Sequence, residues 1–163
     1  VNMVQVLSGE KMLARAIALA ATGHEGQFDK AGRPYVLHTL QVMYNLGPDA
    51  DDELRCIAVL HDLLEDTEYT ISDLQKMGFS QRVVNALSLL NHQAGVDYDT
   101  YIRAIGTNLD ATLAKLADLR HNSDITRMKG LTEKDFERMQ KYQKAFDYLD
   151  TCRIALIKTG CCH

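Results

Sequence analysis

The chain of 163 residues has 22 acidic and 18 basic side chains and a formal net charge of −4 at pH 7. General nucleic-acid binders are normally basic, so we expect no nucleic-acid partner. A phosphorylated small molecule is still allowed, because a metal ion and local Lys or Arg side chains can reverse the sign of the charge inside one pocket. The length and the 46% share of hydrophobic residues predict a single domain, residues 1–163, with its own core.

The sequence shows neither a membrane span nor an export signal. No apolar run approaches the ~20 residues of a transmembrane helix, and no charged start leads into an apolar segment with a small-residue cleavage site. We interpret the four cysteines as reduced thiols, with Cys56 buried. Cys161, Cys162 and His163 carry metal-binding groups, but adjacent cysteines give a poor site geometry. We therefore expect a cytoplasmic protein without a membrane partner, and the residues leave its oligomeric state open.

The first two predicted helices are separated by a polar loop. Ser8 is a suitable N-cap for an Ala- and Leu-rich helix that Gly23 ends. Residues 26–33 form the loop. Pro34 suits the first turn of the second helix, which runs to about Leu46.

The chain is organised around residues 57–67, with the sequence IAVLHDLLEDT. Apolar residues at three- and four-residue steps predict a helix here. On such a helix His61 lies over Glu65, and Asp62 lies over Asp66. Unpaired charge in an otherwise apolar segment is costly. A divalent metal is the simplest compensation, since imidazole and carboxylate groups suit Mn, Fe, Zn or Co.

His38 lies on the second predicted helix, where Val42 and Leu46 follow at four-residue steps and mark the inward face. Taken alone, His38 is equally well explained as a satisfied core histidine. The His61 and Asp62 pair elsewhere in the chain makes a metal ligand the preferred interpretation.

The helix predicted over residues 109–122 carries Asp118 and Asn122 on one face, four residues apart. This spacing allows Asp118 to hold a metal while Asn122, one turn on, holds the substrate. As isolated residues, both would be interpreted as helix-end polar groups. Arg120 and His121 are expected to point away from this face. The complete predicted set of metal ligands is His38, His61, Asp62 and Asp118.

The other predicted elements are structural helices. Thr70 and Ser80 cap two of them, and residues 101–105 form a further short helical face. Thr132 opens the last helix, with Asp135 three residues later as a near match to a capping box. Because strand alternation does not occur, the sequence predicts an all-α fold. The apolar contacts of the last helix are predicted to come from Phe136, Met139, Phe146, Leu149 and Ile154.

In this order, the motifs resemble those of the HD-domain metal-dependent phosphohydrolases. More narrowly, they resemble the hydrolase domain of the RelA/SpoT family, which removes the 3′-pyrophosphate of the alarmone (p)ppGpp. The resemblance spans residues 14–122, and its motifs are specific in combination and weak singly. The blocks that carry it are residues 24–27 (HEGQ), 32–38 (GRPYVLH), 61–67 (HDLLEDT) and 115–122 (KLADLRHN).

The resemblance implies an HD-domain helical bundle, a divalent metal with Mn²⁺ as the expected ion, and a small-molecule nucleotide substrate. It assigns Glu65 and Asp66 a catalytic role, in which they orient the attacking water or relay its proton without binding the metal. Their place one turn from the predicted ligands favours the same role. The resemblance also implies that Asn122 contacts the sugar or a phosphate of the nucleotide.

Positive side chains near the predicted site are the groups that would hold phosphate. Lys30 and Arg33 are the first choices, because they belong to the loop that leads to His38. Tyr35, in the same segment, can stack or form a hydrogen bond. The candidate phosphate-binding cations are Lys30, Arg33, Lys115, Arg120 and Arg127.

This loop departs from the family pattern. Residues 27–32 (QFDKAG) are one residue shorter than in long RelA/SpoT hydrolases, and Asp29 stands where a basic residue is expected. Phe28 can still stack on a base, and Thr39 replaces the Pro that often follows the metal-binding His. These changes preserve the metal chemistry and bear on the specificity for (p)ppGpp. Two alternatives therefore stay open: hydrolysis of another nucleotide phosphate or phosphodiester, and a sensor that binds nucleotide or metal without turnover.

Overall fold

The computed structural model describes residues 5–128 and 130–160. This part of the chain folds into helices joined by loops and includes no β-strand. The all-α prediction is therefore confirmed for this part of the chain, and the predicted tail residues Cys161, Cys162 and His163 lie outside it. The helices are α1 Gly9–Gly23, α2 Val36–Tyr44, α3 Asp52–Val59, α4 Leu63–Asp66, α5 Ile71–Lys76, α6 Gln81–Leu90, α7 Tyr98–Ile105, α8 Leu109–Asn122 and α9 Glu133–Lys158, with a 3₁₀ turn Ile125–Arg127 between the last two.

Helix α3 lies at the centre of the fold, where it packs against α1, α2, α6 and α8. Residues 56–60 have no exposed surface at all. An apolar run without a polar face is what a helix surrounded by other helices requires. Cys56 is buried as predicted, and burial followed by the charge of Asp52 raises the pKa of its thiol to about 12.

The side chains of Thr70, Ser80 and Thr132 cap helices as predicted, whereas Ser8 precedes α1 but its side chain accepts no cap hydrogen bond. Thr70 and Asp73 form a capping box at α5, and Thr132 and Asp135 form another at α9. Ser80 caps α6 by accepting a hydrogen bond from a backbone amide. Each cap satisfies a backbone N–H that has no partner inside its own helix.

The segment predicted as one helix, residues 57–67, is broken between α3 and α4. Leu60 has φ −102° and ψ 4°, and Asp62 has φ −99° and ψ −1°, in the bridge region of backbone conformation. The side chain of His61 explains the break, because its Nδ1 donates to the carbonyl of Ala58 at 2.8 Å. The amide of Asp62 would need that same carbonyl in a continuous helix. The single helix predicted over residues 57–67 is therefore wrong. Asp62 still lies one helical turn before Asp66, because the amide of Asp66 donates to the carbonyl of Asp62 at 3.0 Å.

Helix α9 packs against α7 and α8 along part of its length. Leu149 is buried as predicted, but Phe136 is 50% exposed and Ile154 is 41% exposed. The sequence predicts apolar contacts from both side chains, and the structure leaves a large part of each exposed to solvent. Within residues 5–128 and 130–160, no helix has both the length and the apolar character to cross a membrane.

Candidate metal centre

Side chains from three separate parts of the fold meet in its interior. His38 comes from α2, His61 and Asp62 come from the turn after α3, and Asp118 comes from α8. The Nε2 atoms of the two imidazoles lie 3.3 Å apart. Oδ1 of Asp118 lies 3.2 Å from Nε2 of His38 and 3.5 Å from Nε2 of His61. One donor atom each from His38, His61 and Asp118 lies within 4.8 Å of the others, close enough to share an ion.

Asp62 completes this cluster from its more exposed side. Its Oδ2 lies 2.8 Å from Nε2 of His61 and 3.6 Å from Nε2 of His38. The four predicted ligands are thus brought together by the fold, although they are separated by up to 80 positions in the sequence. Their role as metal ligands stays a prediction.

The hydrogen bond on the far side of the His61 ring defines which atom faces the centre. Nδ1 of His61 donates to the carbonyl of Ala58, so we assign the proton of the neutral ring to Nδ1. The lone pair of Nε2 then points at the carboxylate oxygens of Asp62 and Asp118. Lone pairs that face one another across such short distances require a positive charge between them.

The electrostatics of the centre lead to the same requirement. Burial alone would lower the pKa of His61, but the charges of Asp62 and Asp118 raise it to about 10. Burial also opposes protonation of His38, and hydrogen bonds to the same two carboxylates outweigh it and raise the pKa of that ring. The centre therefore favours a cation, either as protons on the rings or as a metal. Imidazole nitrogen and carboxylate oxygen suit a first-row divalent ion, so the residues present fit the predicted metal.

Further donors hold the two carboxylates. Asp118 accepts from Nζ of Lys115 at 2.9 Å and from Nδ2 of Asn122 at 2.6 Å. Asp62 accepts from the hydroxyl of Tyr35 at 2.6 Å. Burial would raise the pKa of Asp118, but the charge of Lys115 and its other partners keep it well below its usual range. Asp118 therefore stays ionised, as a metal ligand must be.

The predicted catalytic pair, Glu65 and Asp66, lies on the short helix α4 directly after the turn. Both side chains reach solvent, and partial burial followed by the charge of Asp62 raises the pKa of each. Oε2 of Glu65 accepts from the amide of His92 at 3.4 Å. Carboxyl groups with raised pKa values next to the predicted metal centre suit proton exchange with water.

A cavity of about 670 Å³ adjoins the centre. Lys30, Tyr35 and Asn122, which the sequence assigns to substrate binding, line this cavity. Arg33 lies outside the lining, because its guanidinium turns to the carboxylate of Asp29 at 3.7 Å and about half of its side chain is exposed, 52%. Further aromatic and cationic side chains of the lining are Phe28, Tyr142, Arg127 and Arg138.

Asp29 is engaged within its own loop. Its Oδ1 accepts from the amides of Ala31 and Arg33, each at 2.9 Å. Its Oδ2 lies 3.1 Å from NH2 of Arg127, which belongs to the 3₁₀ turn on the other side of the cavity. The negative charge of Asp29 is thus offset by Arg127, one of the candidate cations for phosphate binding.

His121 points toward the centre, and the expectation that it points away is wrong. Its Nδ1 lies 2.6 Å from Nδ1 of His38. Burial followed by the charge of Arg127 lowers the pKa of His121 to about 4, so the ring is neutral. Its place three residues after Asp118 is the sequence signal that puts both on one face of α8. Arg120 does point away, toward α9.

No family model matches the chain. Curated relatives do match it. Over 115 residues the chain is 34% identical to the guanosine-3′,5′-bis(diphosphate) 3′-pyrophosphohydrolase of Haemophilus influenzae. The matched region covers 64% of this chain and 17% of that protein. Over 124 residues it is 32% identical to the bifunctional (p)ppGpp synthase/hydrolase SpoT of Escherichia coli K12. The matched region covers 69% of this chain and 18% of that protein. The chain thus spans less than a fifth of the length of these relatives.

The fold is also similar to a solved structure, that of a metazoan ortholog of SpoT described as hydrolysing ppGpp and playing a role in starvation responses. The TM-score is 0.70 at 23% identity, covering 90% of this chain and 92% of that chain. The helical architecture matches the HD-domain fold of that structure. In sequence and in fold, the chain resembles the hydrolase domain of the RelA/SpoT family, as its motifs predict.

Proposed function

We propose that the chain is a metal-dependent phosphohydrolase of nucleotides, with (p)ppGpp as the substrate and the 3′-pyrophosphate as the group released. The observation that carries this proposal is the convergence of His38, His61, Asp62 and Asp118 beside a cavity of about 670 Å³. A volume of this size suits a small-molecule ligand such as a nucleotide. The names of the curated relatives support (p)ppGpp over other nucleotides.

The four converging side chains would hold a first-row divalent ion. Among such ions we propose Mn²⁺, the ion that the resemblance to the RelA/SpoT hydrolase domain implies. Bound there, such an ion supplies a water of lowered pKa and neutralises charge on the phosphoryl group. Tyr35 holds the carboxylate of Asp62, and Asn122 holds that of Asp118, so both ligands are fixed in orientation.

The chain's own residues then have separate tasks. Glu65 and Asp66 orient the attacking water and take up its proton, which their raised pKa values favour. Lys30 and Arg127 line the cavity and neutralise phosphate charge. Phe28, at the cavity edge and 65% exposed, offers a face on which a base can stack.

A different nucleotide is the second candidate substrate, and the loop at Asp29 favours it. In this loop a carboxylate paired with Arg127 stands where the family has a basic residue. Such a change alters the donors and acceptors that a base or phosphate meets in the cavity. The single-domain organisation, the cytoplasmic location and the absence of a nucleic-acid partner stay predictions from the sequence.

Release of pyrophosphate and phosphate from a panel of nucleotides, with ppGpp and GTP included, tests the proposal. We expect pyrophosphate from ppGpp in the presence of Mn²⁺, and its loss with EDTA. Asp62→Ala should lose both bound metal and activity while its circular dichroism spectrum stays helical. Release from other nucleotides alone would identify the second candidate, and release from none of them would contradict the enzymatic function.

A further inference from the structure

His121 and His38 form a close imidazole pair behind the metal centre. The two Nδ1 atoms lie 2.6 Å apart. The rings are nearly coplanar and meet edge to edge, with centroids 4.9 Å apart and planes inclined by 17°. His121 lies in the last turn of α8, and His38 lies in α2, so the contact joins the two helices that supply different ligands of the centre. His121 is also only partly exposed, and its ring does not reach the converging donor atoms of the centre.

A hydrogen bond between two Nδ1 atoms needs one donor and one acceptor, so a single proton lies between them. Nε2 of His38 faces His61 at 3.3 Å and Asp118 at 3.2 Å, which is where an ion would bind. An imidazole that donates Nε2 to a metal carries its proton on Nδ1. His38 must then be the donor of the pair, and Nδ1 of His121 must be the acceptor.

We propose that His121 is a positioning residue for the metal ligand His38, an inference that rests on the metal centre of the proposed function. As acceptor it fixes the tautomer of His38, and because the hydrogen bond lies in the plane of both rings it also fixes the plane of that imidazole. Metal-bound histidines usually donate their second N–H to a carboxylate or a carbonyl oxygen, and this partner orients the ring and raises its basicity. Here an uncharged imidazole takes that place, so the centre gains no further negative charge behind His38.

The backbone around His121 is itself held in place. NH1 of Arg127 donates to the carbonyl of His121 at 2.8 Å, and NH2 of the same guanidinium lies 3.1 Å from Oδ2 of Asp29. The acceptor of the His38 proton is thus connected to the loop that borders the cavity. This arrangement fixes the end of α8 against the loop of residues 26–33.

Titration of the purified chain with Mn²⁺ by calorimetry tests the role without depending on turnover. His121→Asn keeps an acceptor near the position of Nδ1, and His121→Phe keeps an aromatic ring at this position without an acceptor. We expect the Phe variant to bind Mn²⁺ about 10- to 100-fold more weakly than wild type, the range for loss of such a partner, and the Asn variant to bind close to wild type. Arg120→Lys, one residue away and directed to α9, is the matched control and should not change binding.

Equal Mn²⁺ affinity of the Phe variant and wild type would overturn the inference. An Asn variant as weak as the Phe variant would overturn it as well, since the acceptor would then not be the important feature. Circular dichroism melting of each variant separates a loss of folding from a loss of positioning. If wild type hydrolyses no nucleotide but the Phe variant still binds Mn²⁺ more weakly, the proposed function fails and the role of His121 stands. If wild type binds no Mn²⁺, this inference fails.

Discussion

Nζ of Lys115 lies 2.9 Å from Oδ2 of Asp118, and only 13% of the lysine side chain and 3% of the aspartate side chain are exposed. Burial alone would lower the pKa of Lys115, but the charge of Asp118 raises it well above its usual range. Each residue therefore stabilises the ionised form of the other. Removal of one partner would leave a buried charge without compensation, which is far more costly than the absence of the whole pair.

Lys115→Met removes this charge and keeps an unbranched side chain. We expect a loss of about 3 kcal/mol in the free energy of unfolding, the lower end of the range for a broken buried pair, because two imidazoles still face Asp118. For a domain of this size, that corresponds to a fall in Tm of about 6–12 °C. Thermal denaturation followed by circular dichroism measures it, with Lys115→Arg as the control that keeps the charge. A Met variant that melts with wild type would show that the imidazoles alone balance Asp118.

Glu65→Gln separates catalysis from metal binding. The variant keeps an oxygen acceptor for the amide of His92 and loses the carboxylate that would take up the proton of water. We expect kcat to fall by about 10²- to 10⁴-fold, the range for loss of a general acid or base, with unchanged affinity for Mn²⁺. Pyrophosphate release and calorimetric Mn²⁺ titration measure the two effects separately. If activity and Mn²⁺ affinity fall together, Glu65 is a metal ligand. Asp66→Asn in the same assays shows whether Glu65 or Asp66 takes up the proton of the water.

Local signals in the sequence account for most of the helical framework. Thr70 and Thr132 begin helices through capping boxes that involve residues only three positions away, and α8 has the bounds predicted for it, residues 109–122. The apolar run at residues 56–60 marks the part of α3 that is buried among its neighbouring helices. These features depend on interactions within a few residues, so the order of side chains along the chain is sufficient to predict them.

The geometry of the site depends on contacts that periodicity does not describe. The break after α3 arises because the ring of His61 takes the carbonyl of Ala58, and a helical pattern counts apolar positions rather than side-chain bonds to the backbone. The pairing of His121 with His38 joins residues 83 positions apart, so it depends on how α2 and α8 pack. The spacing from Asp118 indicates that His121 shares its face, but only the fold indicates which residue it meets.

Phe28→Ala tests whether this ring holds the base of the substrate. Stacking of a base on an aromatic ring is worth about 1–3 kcal/mol, so we expect KM for ppGpp to rise by about 5- to 150-fold. We expect kcat to change little, because the interaction is the same in the ground state and in the transition state. Steady-state kinetics measures both constants, and Phe28→Tyr, which keeps the ring, should behave as wild type. A KM that does not change would place the base elsewhere in the cavity.

The ion pair between Asp29 and Arg127 predicts a pH-dependent contribution to stability. Burial alone would raise the pKa of Asp29, but the amide of Arg33 and the guanidinium of Arg127 lower it below its usual value of 3.8. A group with a lowered folded-state pKa stabilises the fold above its unfolded pKa. That stabilisation is lost as the pH falls through the folded-state value.

Asp29→Asn keeps an oxygen acceptor for the loop amides and removes the charge that pairs with Arg127. At pH 7 we expect the variant to be less stable by about 1 kcal/mol, the upper end for a pair that is partly open to solvent, or about 2–4 °C in Tm. Because protonated Asp29 has no charge to lose, the difference from wild type should shrink below pH 3.8 and disappear in stronger acid. Thermal melts across this pH range measure it, with Asp49→Asn, at an exposed position, as the control. A difference that stays constant with pH would mean that the amide hydrogen bonds of Asp29, and not its charge, hold the loop against the turn that carries Arg127.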